Sequence, residues 1–218
     1  MNANQPPEKN QNSTSNVNEN SENKNSKKRD SRVSNARLKL VCISAMFCAV
    51  IAATIACLPK IPIVGGSGFV HIGDSFVYLA SALLPLPYSL LACAIGGGLS
   101  DLLCGYAVYA PASFVIKGVT ALVFRSVLTR RAVVAIDSKG NAVKFVNLRN
   151  CLALIPAALI CAGGYFTYEC ILYGFAAAIV GVPMNFLQSA VGSVIYVALG
   201  LALDKSGVIS KLTKGSGM

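Results

Sequence analysis

An all-α membrane protein with six transmembrane helices is what this sequence predicts, and three observations predict it. The first is composition: of 218 residues, 54% are hydrophobic and 13% charged, with a mean hydropathy of +0.59, whereas a soluble domain carries roughly 25% charged residues. The second is the length of the apolar runs, several of which approach the roughly 20 residues that a bilayer core of about 30 Å requires. The third is where the basic residues lie. Three segments, the N-terminal tail with the first turn after it (including Lys39), Arg125 to Arg149 and the C-terminal stretch, hold 17 of the 19 Lys and Arg. Six spans put all three on one face, as the positive-inside rule demands, with both termini cytoplasmic.

In chain order, residues 1–37 are dense in Asn and Ser, end in Lys27, Lys28, Arg29, Arg32 and Arg37, and nearly lack apolar side chains. Such a segment buries too little to fold alone and is expected to be a disordered tail. It is not a signal peptide, because the apolar run after it is too long and lacks a clear cleavage site. Residues 38–204 hold the six spans: Leu38–Leu58, a short Ile72–Leu86, Tyr88–Tyr106, Pro111–Leu128, Cys151–Gly174 and Pro183–Leu203. Pro59, Pro62, Pro85, Pro87, Pro111 and Pro183 fall at or near expected ends, where proline costs least, and Pro156 lies inside the fifth span. Between the fourth and fifth spans, Ala132–Ile136 and Ala142–Val146 flank a Gly-containing turn, which reads as a small hairpin or a plain loop. Residues 205–218 form a short cytoplasmic tail.

Several function classes drop out at once. There is no GxxxxGK[ST] phosphate loop, so the chain carries no ATPase motif of that kind. The eight cysteines form no CxxC pair, and Cys48, Cys93, Cys104 and Cys161 sit inside apolar runs, where cysteine acts as a small hydrophobe. With His71 the single histidine, neither a metal site nor a histidine-based catalytic centre is expected. The net charge of +10 sets membrane topology rather than nucleic-acid binding.

Ionisable groups inside a membrane are costly and usually functional. Counted from the expected span ends, Asp101, Lys117, Glu169 and Gln188 each lie roughly 7–9 Å below the outer surface. Tyr106, Tyr109, Tyr165, Tyr168, Tyr173 and Asn185 fall at that level or just above, while the inner halves are almost free of such groups. That asymmetry describes a pocket open outward and closed toward the cytoplasm, not a continuous pore. Asp101 and Lys117 read either as a structural ion pair or as pocket groups. The tyrosines read either as pocket lining or as an interfacial belt. Glu169 then lacks a cation in the spans and is the stronger ligand candidate.

The loop from Pro59 to Ile72 contains Gly65, Gly66 and Gly68 and closes with His71, next to Asp74. Its glycines suit either a movable gate or a plain connector. On the first span, Ala45, Ala49 and Ala53 share one face, extended by Ala52 and Ala56, and such a small-residue face lets another helix approach closely. Gly96-Gly97-Gly98 reads as close helix packing within the chain.

Together these residues resemble the substrate-binding (S) component of an energy-coupling factor (ECF) vitamin transporter. The runs His71-Ile-Gly-Asp-Ser-Phe-Val-Tyr-Leu-Ala80, Gly96-Gly-Gly-Leu-Ser-Asp101-Leu-Leu-Cys-Gly-Tyr106 and Tyr109-Ala-Pro111 through Lys117-Gly118 carry the resemblance, which covers about residues 38–204. It implies a multi-pass plasma-membrane subunit, not an enzyme, that captures a vitamin from outside without a cofactor of its own. It implies docking through Ala45, Ala49 and Ala53 onto a transmembrane coupling (T) subunit, with two ABC-type ATPases supplying energy. The loop with Gly65, Gly66, Gly68 and His71 then matches the substrate gate. Asp101, Tyr109, Lys117, Tyr165, Glu169, Asn185 and Gln188 become the expected substrate-binding residues. The chain has no Trp, so Phe or Tyr must stack any heterocycle. The pocket inventory suits a small heteroaromatic vitamin or precursor of pyrimidine, pyridoxine-like or flavin type, and a single basic residue argues against a polyanion. A self-contained secondary transporter or channel is the main alternative. A membrane enzyme relying on Asp101 and Glu169 is a third reading.

Overall fold

The computed structural model describes residues 12–57, 61–62, 69–127 and 146–206. The hairpin expected at 132–146 and the glycines Gly65, Gly66 and Gly68 therefore lie outside the described residues, apart from Val146. Among the described residues there are six helices: α1 (Asn12–Cys57), α2 (Asp74–Leu83), α3 (Tyr88–Leu103), α4 (Ala110–Val127), α5 (Leu148–Tyr173) and α6 (Phe175–Ser206). A two-residue antiparallel pair joins β1 (Ile61–Pro62) to β2 (Phe69–Val70), with Ile61 opposite Val70. The chain divides into Met1–Val41 and Cys42–Met218.

Within the first unit the backbone is already helical from Asn12, where an unfolded tail was expected up to residue 37. Neither Pro nor Gly occurs between Glu8 and Cys57, so nothing in the sequence terminates a helix propagating from the apolar segment.

Four of the described helices, α1 from Arg37, α4, α5 and α6, are long and apolar enough to cross a membrane. At 1.5 Å per residue, α3 reaches about 24 Å and α2 only about 15 Å, short of a bilayer core. The reason α2 can be so short lies in its surroundings. Every residue of it except Phe76 and Leu83 is buried, and it packs against α3, α4 and α6. It is an interior strut rather than a lipid-facing span.

The outer surface of the bundle is apolar, as a soluble protein's would not be. Leu91, Ile95, Leu99 and Leu102 form an exposed apolar stripe along α3, and Leu148, Leu152, Ile155 and Leu159 form another along α5. The interior, besides its apolar clusters, holds Asp74, Asp101, Lys117, Glu169, Asn185 and Gln188. Lipid is the medium that makes this arrangement favourable, because apolar side chains lose nothing by facing it.

Helix ends follow local chemistry. Asn147 caps α5, its side chain accepting from the Asn150 N–H at 3.0 Å. Asp204 of α6 accepts from the Val146 N–H at 3.0 Å, so the start of α5 lies beside the end of α6. Gly174 alone separates the two helices at the other end, at φ 82°, a conformation that favours glycine. The sixth helix begins eight residues earlier than its expected start, and Pro183 lies within it. Pro183 is exposed. Pro156 sits inside α5 as expected.

The three glycines of α3 divide their work. A Cβ on Gly96 would lie 3.0 Å from the Cys48 carbonyl oxygen of α1, and one on Gly97 would lie 2.7 Å from Cγ of Lys117 on α4. One on Gly98 would lie 3.2 Å from the Ala110 carbonyl. The run serves close packing within the chain, on two sides at once.

Candidate functional site

The polar side chains are stacked along the bundle in levels set by helical periodicity. On α4 and the turn before it, Tyr109, Ser113, Lys117 and Phe124 fall on one face. On α5, Cys161, Tyr165 and Glu169 do the same at four-residue spacing. On α6 the matching face carries Gly181, Asn185, Gln188, Gly192 and Tyr196, all buried. Because α4 and α5 meet with their ends reversed, Tyr109 faces Glu169, Ser113 faces Tyr165 and Lys117 faces Cys161.

At the end carrying the α3–α4 and α5–α6 turns, Tyr109 is surrounded by Tyr106, Tyr168 and Tyr173, with ring centroids 5.8–6.5 Å apart. The Tyr109 hydroxyl reaches Oε1 of Glu169 at 3.4 Å. Oε2 of Glu169 has no hydrogen-bond partner although the residue is 2% exposed. This oxygen lies against the bare backbone of Gly181, where a Cβ would come within 2.7 Å.

One level further in, the Ser113 and Tyr165 hydroxyls hydrogen-bond at 2.7 Å. Asp101 is buried here from the α3 side, with Oδ2 unpartnered. The next level is the most heavily bonded. Lys117 Nζ donates to Asp74 Oδ1 at 2.5 Å, and the two side chains are 1% and 2% exposed. Nζ also lies 3.5 Å from Sγ of Cys161 and 5.2 Å from the Tyr165 ring centroid. Gln188 Nε2 donates to the second Asp74 oxygen at 3.0 Å, and Gln188 Oε1 accepts the His71 N–H at 3.2 Å. Below this level Tyr78, Phe124 and Tyr196 close the bundle with mutual ring distances of 5.4–6.2 Å.

Three expectations change. Lys117 takes Asp74, not Asp101, as its ion-pair partner. The reason is geometric: Asp74 opens α2 at the centre of the bundle and presents both oxygens, one to Lys117 and one to Gln188. Second, Glu169 and Lys117 do not share a level. Eight residues separate Tyr109 from Lys117 on α4, which is about 12 Å of rise, and Glu169 sits with Tyr109. Third, the alanine face is narrower than expected. Ala45, Ala49 and Ala53 are exposed, whereas Ala52 is buried and Ala56 half-buried.

Asp74 is the residue that sequence reasoning undervalued. Its only signal was a carboxylate opening an apolar run. Ser113 and Cys161 gave no signal. Among the described residues, no group of three His, Cys, Asp or Glu side chains converges as a metal site would require.

Fold and site define a multi-pass helical membrane protein whose ionisable groups are gathered inside the bundle, several with unfilled hydrogen-bonding capacity. Residues 35–205 match the family described as ECF-type riboflavin transporter, S component, and the chain belongs to that family. It is therefore a substrate-binding subunit of an ECF transporter rather than an enzyme, and it works in association with the coupling and ATPase modules of such transporters. No curated protein matches the chain closely enough to add to this.

Proposed function

We propose that this chain captures a flavin, in the first instance riboflavin, from outside the plasma membrane and delivers it to an ATP-driven importer. The observation that carries the reading is three of the buried polar atoms that have no hydrogen-bond partner among the described residues: Oδ2 of Asp101, Oε2 of Glu169 and Nδ2 of Asn185. Native proteins leave few such atoms unsatisfied. These three come from α3, α5 and α6 and lie inside the segment that matches the riboflavin-transporter family. They supply acceptors and a donor, which is what the imide and hydroxyl groups of a neutral flavin require. The tyrosine group around Tyr109 supplies flat apolar surface for its ring system.

In this reading, Asp101, Tyr109, Tyr165, Glu169 and Asn185 contact substrate. Lys117 and Gln188 hold Asp74 and the chain segment at His71 in place, and act on the ligand through that framework. The loop ending at His71 admits the ligand, and the aromatic group Tyr78, Phe124 and Tyr196 is its floor. The reading keeps both termini on the cytoplasmic side, with the basic segments beside them, as the positive-inside rule favours. Ala45, Ala49 and Ala53 dock the T subunit, and two ATPases power release.

The test is titration of riboflavin with purified protein in detergent, read by loss of flavin fluorescence. Stoichiometric saturation supports the reading. Absence of binding by a folded preparation, with another vitamin co-purifying, would replace the substrate.

A further inference from the structure

We infer that Glu169 is the residue that sets the charge preference of this site, admitting neutral flavins and excluding their phosphate esters. The inference rests on the flavin reading above and adds to it a residue and a rule.

Three observations point to it. Glu169 is 2% exposed, its Oε1 receives one long hydrogen bond from Tyr109, and its Oε2 has none. No cationic partner for it occurs among the described residues. The buried cation of the bundle, Lys117, is bonded to Asp74 about 12 Å further along α4. Finally, the neighbouring α6 backbone is stripped to Gly181, so no side chain at that position shields the carboxylate.

The consequence follows from charge alone. A ribityl hydroxyl on the ligand satisfies Oε2 and removes an unmet acceptor from the interior. A phosphate brought to the same place meets a carboxylate in a low-dielectric setting, and Lys117, the fully buried lysine among the described residues, is already neutralised by Asp74. Like charges juxtaposed at an interface cost enough to change affinity by at least about tenfold. A site built to take phosphates would show the reverse pattern, an unpaired Lys or Arg fork.

The experiment compares riboflavin, riboflavin 5′-phosphate and a flavin carrying a terminal aminoalkyl group, by fluorescence titration of the full-length protein in detergent. Wild type should bind the phosphate at least about tenfold more weakly than riboflavin. Glu169→Gln should shrink that ratio toward one, and Glu169→Asp should keep it. An unchanged ratio in a folded Glu169→Gln protein overturns the inference, as does a wild-type ratio near one. Should Glu169→Gln not fold, the wild-type protein still decides. The aminoalkyl flavin must bind at least as tightly as riboflavin, and weaker binding overturns the inference. Failure of wild type to bind any flavin is a different result, which removes the flavin reading itself.

Discussion

Replacing Lys117 by Met leaves Asp74 as an uncompensated carboxylate in the centre of the bundle. Both side chains are essentially buried, 1% and 2% exposed. A charge pair at about 4 Å is worth about 4 kcal/mol at an effective dielectric of 20, and removing one partner of a buried pair typically costs about 3–5 kcal/mol. Asp74 keeps the Gln188 Nε2 donor at 3.0 Å, which places the expected loss near the lower end, about 3 kcal/mol. For a chain of this length that corresponds to a fall in melting temperature of roughly 6–12 °C. Adding Asp74→Asn to Lys117→Met removes the stranded charge, so the double variant should be more stable than Lys117→Met alone. The assay is thermal unfolding in detergent for wild type, both single variants and the double. A Lys117→Met protein melting within 2 °C of wild type, or a double variant whose loss is the sum of the two singles, would refute the pairing argument.

Other substitutions test neighbouring parts of the account. Gln188→Leu removes a hydrogen bond to a carboxylate and one to the His71 backbone. It should cost about 1.5–3 kcal/mol in thermal unfolding, and a neutral effect would show that the His71 segment is held by other contacts. Gly97→Ala places a Cβ 2.7 Å from Lys117 and should destabilise by about 1–3 kcal/mol. Gly163→Ala meets nothing within 4 Å and should be neutral or stabilising; equal effects from both would contradict the packing assigned to α3 and α4. Ala49→Leu adds bulk at an exposed position, so riboflavin binding and melting should stay unchanged while ATP-dependent uptake by the assembled transporter falls. Loss of folding in that variant would mean that this face packs inside the chain.

Much of the fold was legible because a bilayer imposes simple rules on sequence. Apolar runs located α3, α4 and most of α5 to within a few residues, since length and hydropathy are what a lipid environment selects. The first span, expected at Leu38–Leu58, falls at Arg37–Cys57, while α1 runs on before it and α6 starts before its expected boundary. Asn- and Ser-rich sequence such as that before Arg37 argues for an unfolded tail, but it contains no residue that stops a helix. Pro183 argues for a boundary, yet an exposed proline in a long apolar helix is accommodated. At the site, burial of Lys117, Glu169, Asn185 and Gln188 could be read from their positions in apolar runs, but their partners could not. Asp74 and Lys117 are 43 residues apart, and only the packing of α2 into the bundle centre brings them together. Counting depth from expected helix ends also gave Glu169 and Lys117 one level, because the chain before α4 contributes Tyr109 from outside the expected span.

The most direct test of the central claim separates capture from transport. The purified chain should bind riboflavin without ATP, and in liposomes it should accumulate none when alone, whatever ion gradient is imposed. Uptake should appear only when a coupling subunit, ATPases and ATP are supplied together. Accumulation of riboflavin by the chain alone under an ion gradient would contradict the account and make this protein a self-contained transporter.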